Sequence, residues 1–368
     1  MGSREEGAVE RAIVRRYRIL YMSYPVIAVA LSIAILALVM YLIGVDPIKG
    51  LRTLFYSSFG NAYYVTETLV RATPILMVSL GLMFAFSAGV WNIGAEGQLY
   101  MGGVAAAVTA ISLGWLPPPI PLIAAWVAGG IAGALWAFPP AALKAKYGIN
   151  EVFTTLMLNY VAIYFVSYLL HGPLMNPTTL FPETVTLPEN SWLPRVVPGY
   201  RLHAGTIALF AVFVPLTYLV IKRTPVGFNL RLVGSNPELA RSCGINIGRQ
   251  VMLTLMLSGF FAGLSGANEV TGVVLKMRPD ISPGYGYMGI AVALLGRLNP
   301  VGIALASIFM AGVVNGSYTI SMMLKIPIGI AQFTQGLLIV IITLGELLIR
   351  RLTETRKAPI VLKPGGGG

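Results

Sequence analysis

The sequence predicts an all-α polytopic membrane protein of about ten transmembrane helices, and three observations lead there. Hydrophobic residues make up 56% of the 368 positions and charged residues only 11%, against about 25% charged in a soluble domain whose surface meets water. Mean hydropathy is +0.76. Several apolar runs reach about 18 residues or more, enough to cross a hydrocarbon core about 30 Å thick as a helix.

Read in order, the spans fall near 25–44, 66–89, 97–114, 121–142, 151–170, 204–221, 250–272, 284–296, 301–320 and 327–349. The first begins after Pro25 and lacks a small-residue cleavage site, so it reads as a retained helix rather than a removed signal peptide. Pro117-Pro118-Pro119 and Pro139-Pro140 punctuate the middle of the first half, and Pro225 and Pro300 punctuate the second. The eighth run is too short to span alone.

Lys and Arg set the orientation. With the N-terminus inside, 18 of the 26 basic residues lie on the cytoplasmic side. Residues 1–24 are then a cytoplasmic N-terminal segment, 25–349 a transmembrane domain and 350–368 a cytoplasmic tail, with Gly365–Gly368 and the first dozen residues read as disordered. The Pro-rich loop 172–203 faces outward. The net charge of +12 follows the ends of apolar runs rather than one soluble face, which excludes a nucleic-acid partner. One cysteine, Cys243, and two histidines, His171 and His203, leave no disulfide framework, no metal centre and no catalytic cluster; no cofactor is expected.

Ala132-Gly133, Lys146, Ile149, Thr155 and Leu158 recur as Ala311-Gly312, Lys325, Ile328, Thr334 and Leu337, and Tyr100-Met101-Gly102 recurs as Tyr287-Met288-Gly289. Chance is one explanation in so apolar a chain. The other is a 5+5 inverted repeat, whose halves begin on opposite sides of the membrane and place broken or re-entrant segments at the transport pathway.

Polar groups inside spans are costly and face a pathway or a protein partner. The densest run is Trp91-Asn92-Ile93-Gly94-Ala95-Glu96-Gly97-Gln98, whose glycines permit irregular backbone beside a cavity. An interfacial turn is the alternative, and Glu96 also suits a helix N-terminus. Asn268-Glu269 and the Gly/Pro-broken 279–286 flank the short span in the second half, and Asn159, Asn315, Gln332 and Gln335 lie mid-span. Singly, each amide fits helix–helix bonding; together they suit a pathway. Trp91, Asn92, Glu96, Gln98, Asn159, Asn268, Asn315 and Gln332 are the candidate pathway residues. Neutral amides and aromatics suit a neutral, hydrogen-bonding solute.

The cytoplasmic loop 222–249 contains a helix with both ends capped: Asn236 as N-cap, Pro237 at the first position, Glu238 at the positive end and Gly244 past the end. So short a helix needs a partner surface. It packs under its own spans, or it docks on a cytoplasmic motor through Asn236, Glu238, Ala240 and Gly244. The chain has no phosphate-binding G-x-x-x-x-G-K-[ST] loop of its own.

Trp91–Gln98 with Met101-Gly102, Asn236-x-Glu238-x-Ala240-x-x-x-Gly244-Ile245, Ser258-Gly259-x-x-Ala262-Gly263-x-x-Gly266 and Asn299-Pro300-x-Gly302 together resemble the branched-chain amino acid/ribose/nucleoside permease family of ABC importers. Within that family the match is nearest the nucleoside permeases. The resemblance covers roughly 65–345. It implies a multi-pass permease subunit in the cell membrane that moves a small polar solute such as a nucleoside. It also implies separate ATP-binding subunits, a second related permease and an extracytoplasmic solute-binding lipoprotein. The alternative is an ion-gradient-driven secondary transporter, for which Glu96 and Glu269 are the ionisable candidates.

Overall fold

A computed structural model describes residues 27, 29–31, 33–323, 333, 336–337, 339–341 and 343–345. The segments 1–24 and 350–368, and with them Lys325, Ile328, Gln332, Thr334 and Gln335, lie outside the described residues. The chain divides into two compact units, Met1–Arg52 with Ile320–Gly368, and Thr53–Thr319.

The first unit holds helical residues 29–31 and 33–42 and a glycine turn at Gly44, φ +79°. Asp46 then opens a helix that sequence reading took for a connection, α1 (Pro47–Phe59), of which residues 47–52 belong to this unit: its carboxylate accepts from the N–H groups of Ile48 and Lys49 at 2.9 and 3.3 Å.

The second unit holds the other described helices, with the last four residues of α11 belonging to the first. Its helices are α2 (Ala62–Ser87), α3 (Ala95–Ser112), α4 (Ile120–Tyr147), α5 (Glu151–His171), α6 (Ala204–Arg223), α7 (Pro225–Ser235), α8 (Pro237–Ser242), α9 (Ile247–Asn268, continued by a wider π-turn at Glu269–Val274), α10 (Tyr285–Leu295) and α11 (Pro300–Met323). Among the described residues there are no strands, only one isolated bridge between Arg195 and His203. Among the described residues, six helices are long and apolar enough to cross a membrane: α2, α4, α5, α6, α9 with its π-turn, and α11.

Local chemistry explains the starts. Asn61, Asn150, Thr224, Asn236 and Asn246 each accept a backbone N–H from the first turn of the helix they precede, satisfying a donor no intrahelical carbonyl can reach. Pro225, Pro237 and Pro300 sit at first positions, where a missing N–H costs nothing. Pro139-Pro140, read above as punctuation, lies instead inside α4, which runs on to Tyr147 and ends at Gly148 with φ +69°. Membrane helices tolerate interior proline because neighbouring groups re-satisfy the freed carbonyls.

The centre of this unit is a contact of bare backbones. A Cβ on Gly133 would fall 2.2 Å from the Gly259 carbonyl oxygen, and one on Gly263 would fall 2.2 Å from that of Gly129. Gly129-x-x-x-Gly133 on α4 and Gly259-x-x-x-Gly263 on α9 therefore face each other as two small-residue seams, the usual solution where lipid supplies no hydrophobic drive between helices. The α3 helix joins them, with Gly102 against Gly263.

The segment 172–203 is strapped across the end of α9. Leu193 N–H donates to Thr271 O at 3.0 Å, Leu187 N–H to Leu275 O at 2.9 Å and Thr184 N–H to Met277 O at 3.1 Å, with a Lys276–Glu183 ion pair of 2.8 Å alongside.

Candidate functional site: a closed polar clasp and an unpartnered polar core

Residues 90–93 are non-helical and join α2 to α3 at a point buried among α5, α9 and α10. Irregular backbone there leaves donors that the sequence supplies with partners. Asn92 Nδ2 donates to Gln98 Oε1 at 2.8 Å and to Ser258 Oγ at 2.9 Å. Its Oδ1 accepts from Gln98 Nε2 at 3.1 Å and Gly94 N at 2.9 Å. Asn159 reaches over from α5: its Oδ1 accepts from Gly97 N at 2.7 Å, and its Nδ2 donates to Ile93 O at 2.7 Å and the Tyr287 hydroxyl at 3.3 Å. Thr155 Oγ1 takes Ile93 N at 3.2 Å. Trp91 N donates to Glu151 Oε1 at 3.3 Å, while Lys144 pairs with Glu151 Oε2 at 2.8 Å.

Glu96 lies in the first turn of α3, yet its carboxylate accepts from Gly286 N, 2.6 Å away, in the first turn of α10. A Cβ on Gly286 would come within 2.3 Å of Glu96 N, so only glycine lets the two helix starts meet. One carboxylate thus serves two positive helix ends.

Asn315 is buried on α11 and donates to Ser57 O at 3.0 Å and Thr68 Oγ1 at 3.5 Å. Asn268 differs from every other candidate amide described: it is fully buried, and neither its nitrogen nor its oxygen has a hydrogen-bond partner. Around it stand groups that sequence reading did not select. His203, also fully buried, has both ring nitrogens unpartnered, and a Cβ on Gly205 would lie 2.8 Å from Asn268 Oδ1 and 3.0 Å from His203 Nδ1. Burial, and secondly the charge of Arg201, pushes the His203 pKa down to about 4, so the ring is neutral near pH 7. On α2, Glu67 Oε2 pairs with Arg201 at 3.2 Å while its Oε1 has no partner, and Arg71 keeps Nε unbonded under a guanidinium 5.1 Å from the Tyr318 ring centre. A signal for these was available: Glu67 and Arg71 are ionisable groups four residues apart near the N-terminal end of an apolar span. Among the described residues no group of three or more His, Cys, Asp or Glu could hold a metal.

In the loop 222–249, α8 is a six-residue helix. Asn236 Oδ1 accepts from Leu239 N at 3.0 Å, and Gly244 lies past the end with φ +78°. Ala240 is buried against the chain; Glu238, Leu239, Arg241 and Ser242 are exposed. Part of the same loop is the helix α7, which sequence reading left unassigned. A Cβ on Gly234, near its end, would touch Ser87 O at 2.3 Å, beside the start of the clasp.

Residues 64–343 match the family described as the branched-chain amino acid transport system / permease component. The glucose ABC transporter permease TsgB13 of Haloferax volcanii is 34% identical, over 89% of this chain and 88% of its own length. The guanosine ABC transporter permease NupP of Bacillus subtilis is 32% identical, over 88% of this chain and 94% of its own. A second guanosine permease of the same bacterium, NupQ, is 27% identical over 67% and 78%. No solved structure gives a significant match.

Proposed function

The chain belongs to this family of transport permease components, and from that premise we propose that it is the membrane-spanning subunit of an ATP-driven importer that conducts a small polar solute, a nucleoside. The observation that carries the reading is α8: a helix too short to stand alone in water, capped at both ends, anchored by Ala240 and presenting Glu238, Leu239 and Arg241 to the solvent. It offers a docking surface for a separate ATP-binding subunit, and Gly234 against Ser87 links that surface to the clasp.

The proposal extends to the assembly. Hydrolysis takes place on separate subunits, and a solute-binding lipoprotein delivers from outside. A second, related permease completes the membrane part; that one bacterium has two guanosine permeases similar to this chain supports it. In the finer architecture, about ten helices between 25 and 349 form a 5+5 inverted repeat with both termini cytoplasmic. The packing supports this: α3 lies on α9 and α10 lies on α2, the exchange expected of two halves related by a two-fold axis. Trp91, Asn92, Glu96, Gln98, Asn159, Asn268, Asn315 and Gln332 are proposed to border the pathway, with Asn268 the amide free to take a new partner.

The test is solute-stimulated ATP hydrolysis by the chain reconstituted with its ATP-binding subunits, second permease and binding protein. Stimulation by a nucleoside in the wild type, lost in Glu238→Arg, is the expected result. Gradient-driven uptake without any ATP-binding subunit, unchanged in Glu238→Arg, would overturn the importer in favour of a secondary transporter working through Glu96 and Glu269.

A further inference from the structure

The α5 helix presents a face that its membrane setting does not explain. At about 1.5 Å per residue, Glu151–His171 is about as long as the hydrocarbon core is thick, and only 22% of its apolar window is buried. Along the open side run Tyr160, Tyr164 and Tyr168, four residues apart on one helical stripe and 51, 71 and 68% exposed. None of the three hydroxyls bonds to a described residue. Tyrosine facing lipid belongs at the headgroup level, where its hydroxyl meets water. Tyr168 near the outer end could satisfy that rule; Tyr160 at mid-length and Tyr164 one turn further cannot. A hydroxyl facing hydrocarbon has no acceptor there, so the stripe faces something that hydrogen-bonds.

A second observation joins the stripe to the clasp. Half-buried Tyr287, at the start of α10, receives the Asn159 amide at 3.3 Å, and Tyr160 follows Asn159 directly on α5. Asn159 thus stands beside Tyr287 in space and beside Tyr160 in the chain, where Tyr160, Tyr164 and Tyr168 offer flat π-faces edged with hydroxyls, among the exposed Phe153, Met157, Val161 and Phe165 and with no fixed charge.

Building on the importer reading, we propose that Tyr160, Tyr164 and Tyr168 form this subunit's wall of the solute pathway, and that they select for an aromatic base by stacking on it. The occupant is a nucleoside: its base matches the rings and its ribose hydroxyls match the phenols. A sequence-tolerant stack of this kind is worth about 1–3 kcal/mol per base, roughly tenfold or more in binding. Ring area rather than the hydroxyl carries that part, so phenylalanine substitutes for tyrosine and leucine does not.

The experiment uses the full complex in liposomes, with the single cysteine removed by Cys243→Ser. Tyr160→Cys and Tyr164→Cys are exposed to a membrane-impermeant methanethiosulfonate, with guanosine or ribose present. Guanosine uptake is measured separately in Tyr164→Phe and Tyr164→Leu. The wall predicts labelling at both positions, protection by guanosine but not ribose, near-wild-type uptake in Tyr164→Phe and about a tenfold loss in Tyr164→Leu. Cysteines inert to the aqueous reagent and quenched by brominated lipid would make the face a lipid surface. Cysteines inert to both, and cross-linked to the second permease, would make it a dry subunit interface. Either result, or equal uptake in the phenylalanine and leucine variants, overturns the proposal. A wild type that no nucleoside stimulates fails earlier, at the importer reading itself.

Discussion

Two polar regions are buried in the same unit, one closed and one open. In the clasp around Trp91–Gln98 the amides of Asn92, Gln98 and Asn159 are committed within the chain, and even the Glu96 carboxylate is occupied by the start of α10. Around Asn268 and His203 the groups are as deeply buried, yet four nitrogens and oxygens have no partner. An unpaired buried polar group costs about 1–3 kcal/mol, whereas a made bond gains about 1. The clasp therefore contributes stability and the open core subtracts from it. That difference separates a structural joint from a region kept available for another state or another molecule.

Breaking the scaffold that holds both regions has the largest expected effect. Gly263→Leu forces α4 and α9 apart where a Cβ already meets backbone, and the expected outcome is no monodisperse protein in detergent by size-exclusion chromatography. Next comes the clasp itself. Asn92→Ala leaves both amide atoms of Gln98 unpartnered by Asn92 and removes the partner of Gly94 N, so a loss of about 3–4 kcal/mol is expected in denaturant unfolding. An undiminished midpoint would dissolve the distinction between joint and open core.

The open core gives a smaller, pH-dependent effect with a definite sign. The His203 pKa is about 4 in the folded chain and 6.5 unfolded, so between those values the unfolded chain binds more protons. Stability is full above about pH 6.5 and falls as pH drops towards 4, by about 2 kcal/mol between pH 7.5 and pH 5. His203→Gln should flatten that part of the thermal-melting profile. Smallest of all is the stability change on Asn268→Leu. Replacing an amide whose two polar atoms are both unpaired should raise stability, by about 1 kcal/mol at the low end of that penalty, while transport falls sharply. A large destabilisation with intact transport would place Asn268 with the clasp.

The contrast also explains what could be read from the chain. The α8 helix was legible because Asn236, Pro237 and Gly244 act within a few residues of one another. The same code, in Asp46-Pro47 and Thr224-Pro225, opens α1 and α7, but at 13 and 11 residues neither helix forms an apolar run long enough to span. The polar character of 91–98 was visible; its closure was not, because Thr155, Asn159, Ser258 and Gly286 arrive from other helices. Conversely, the openness of Asn268 depends on what His203 and Gly205 fail to offer it, which no local pattern records. Glu67 and Arg71 could have been found by the rule already applied to Glu96.

The bond between Glu96 and Gly286 joins residues 190 positions apart. At about 5–20 residues per second, roughly ten to forty seconds of synthesis separate the two. During that interval the ribosome has delivered a membrane-bound acid whose partner helix does not yet exist. The first half of the protein is therefore made before the donor that holds residue 96 in the finished fold, and that contact forms only once α10 has been synthesised.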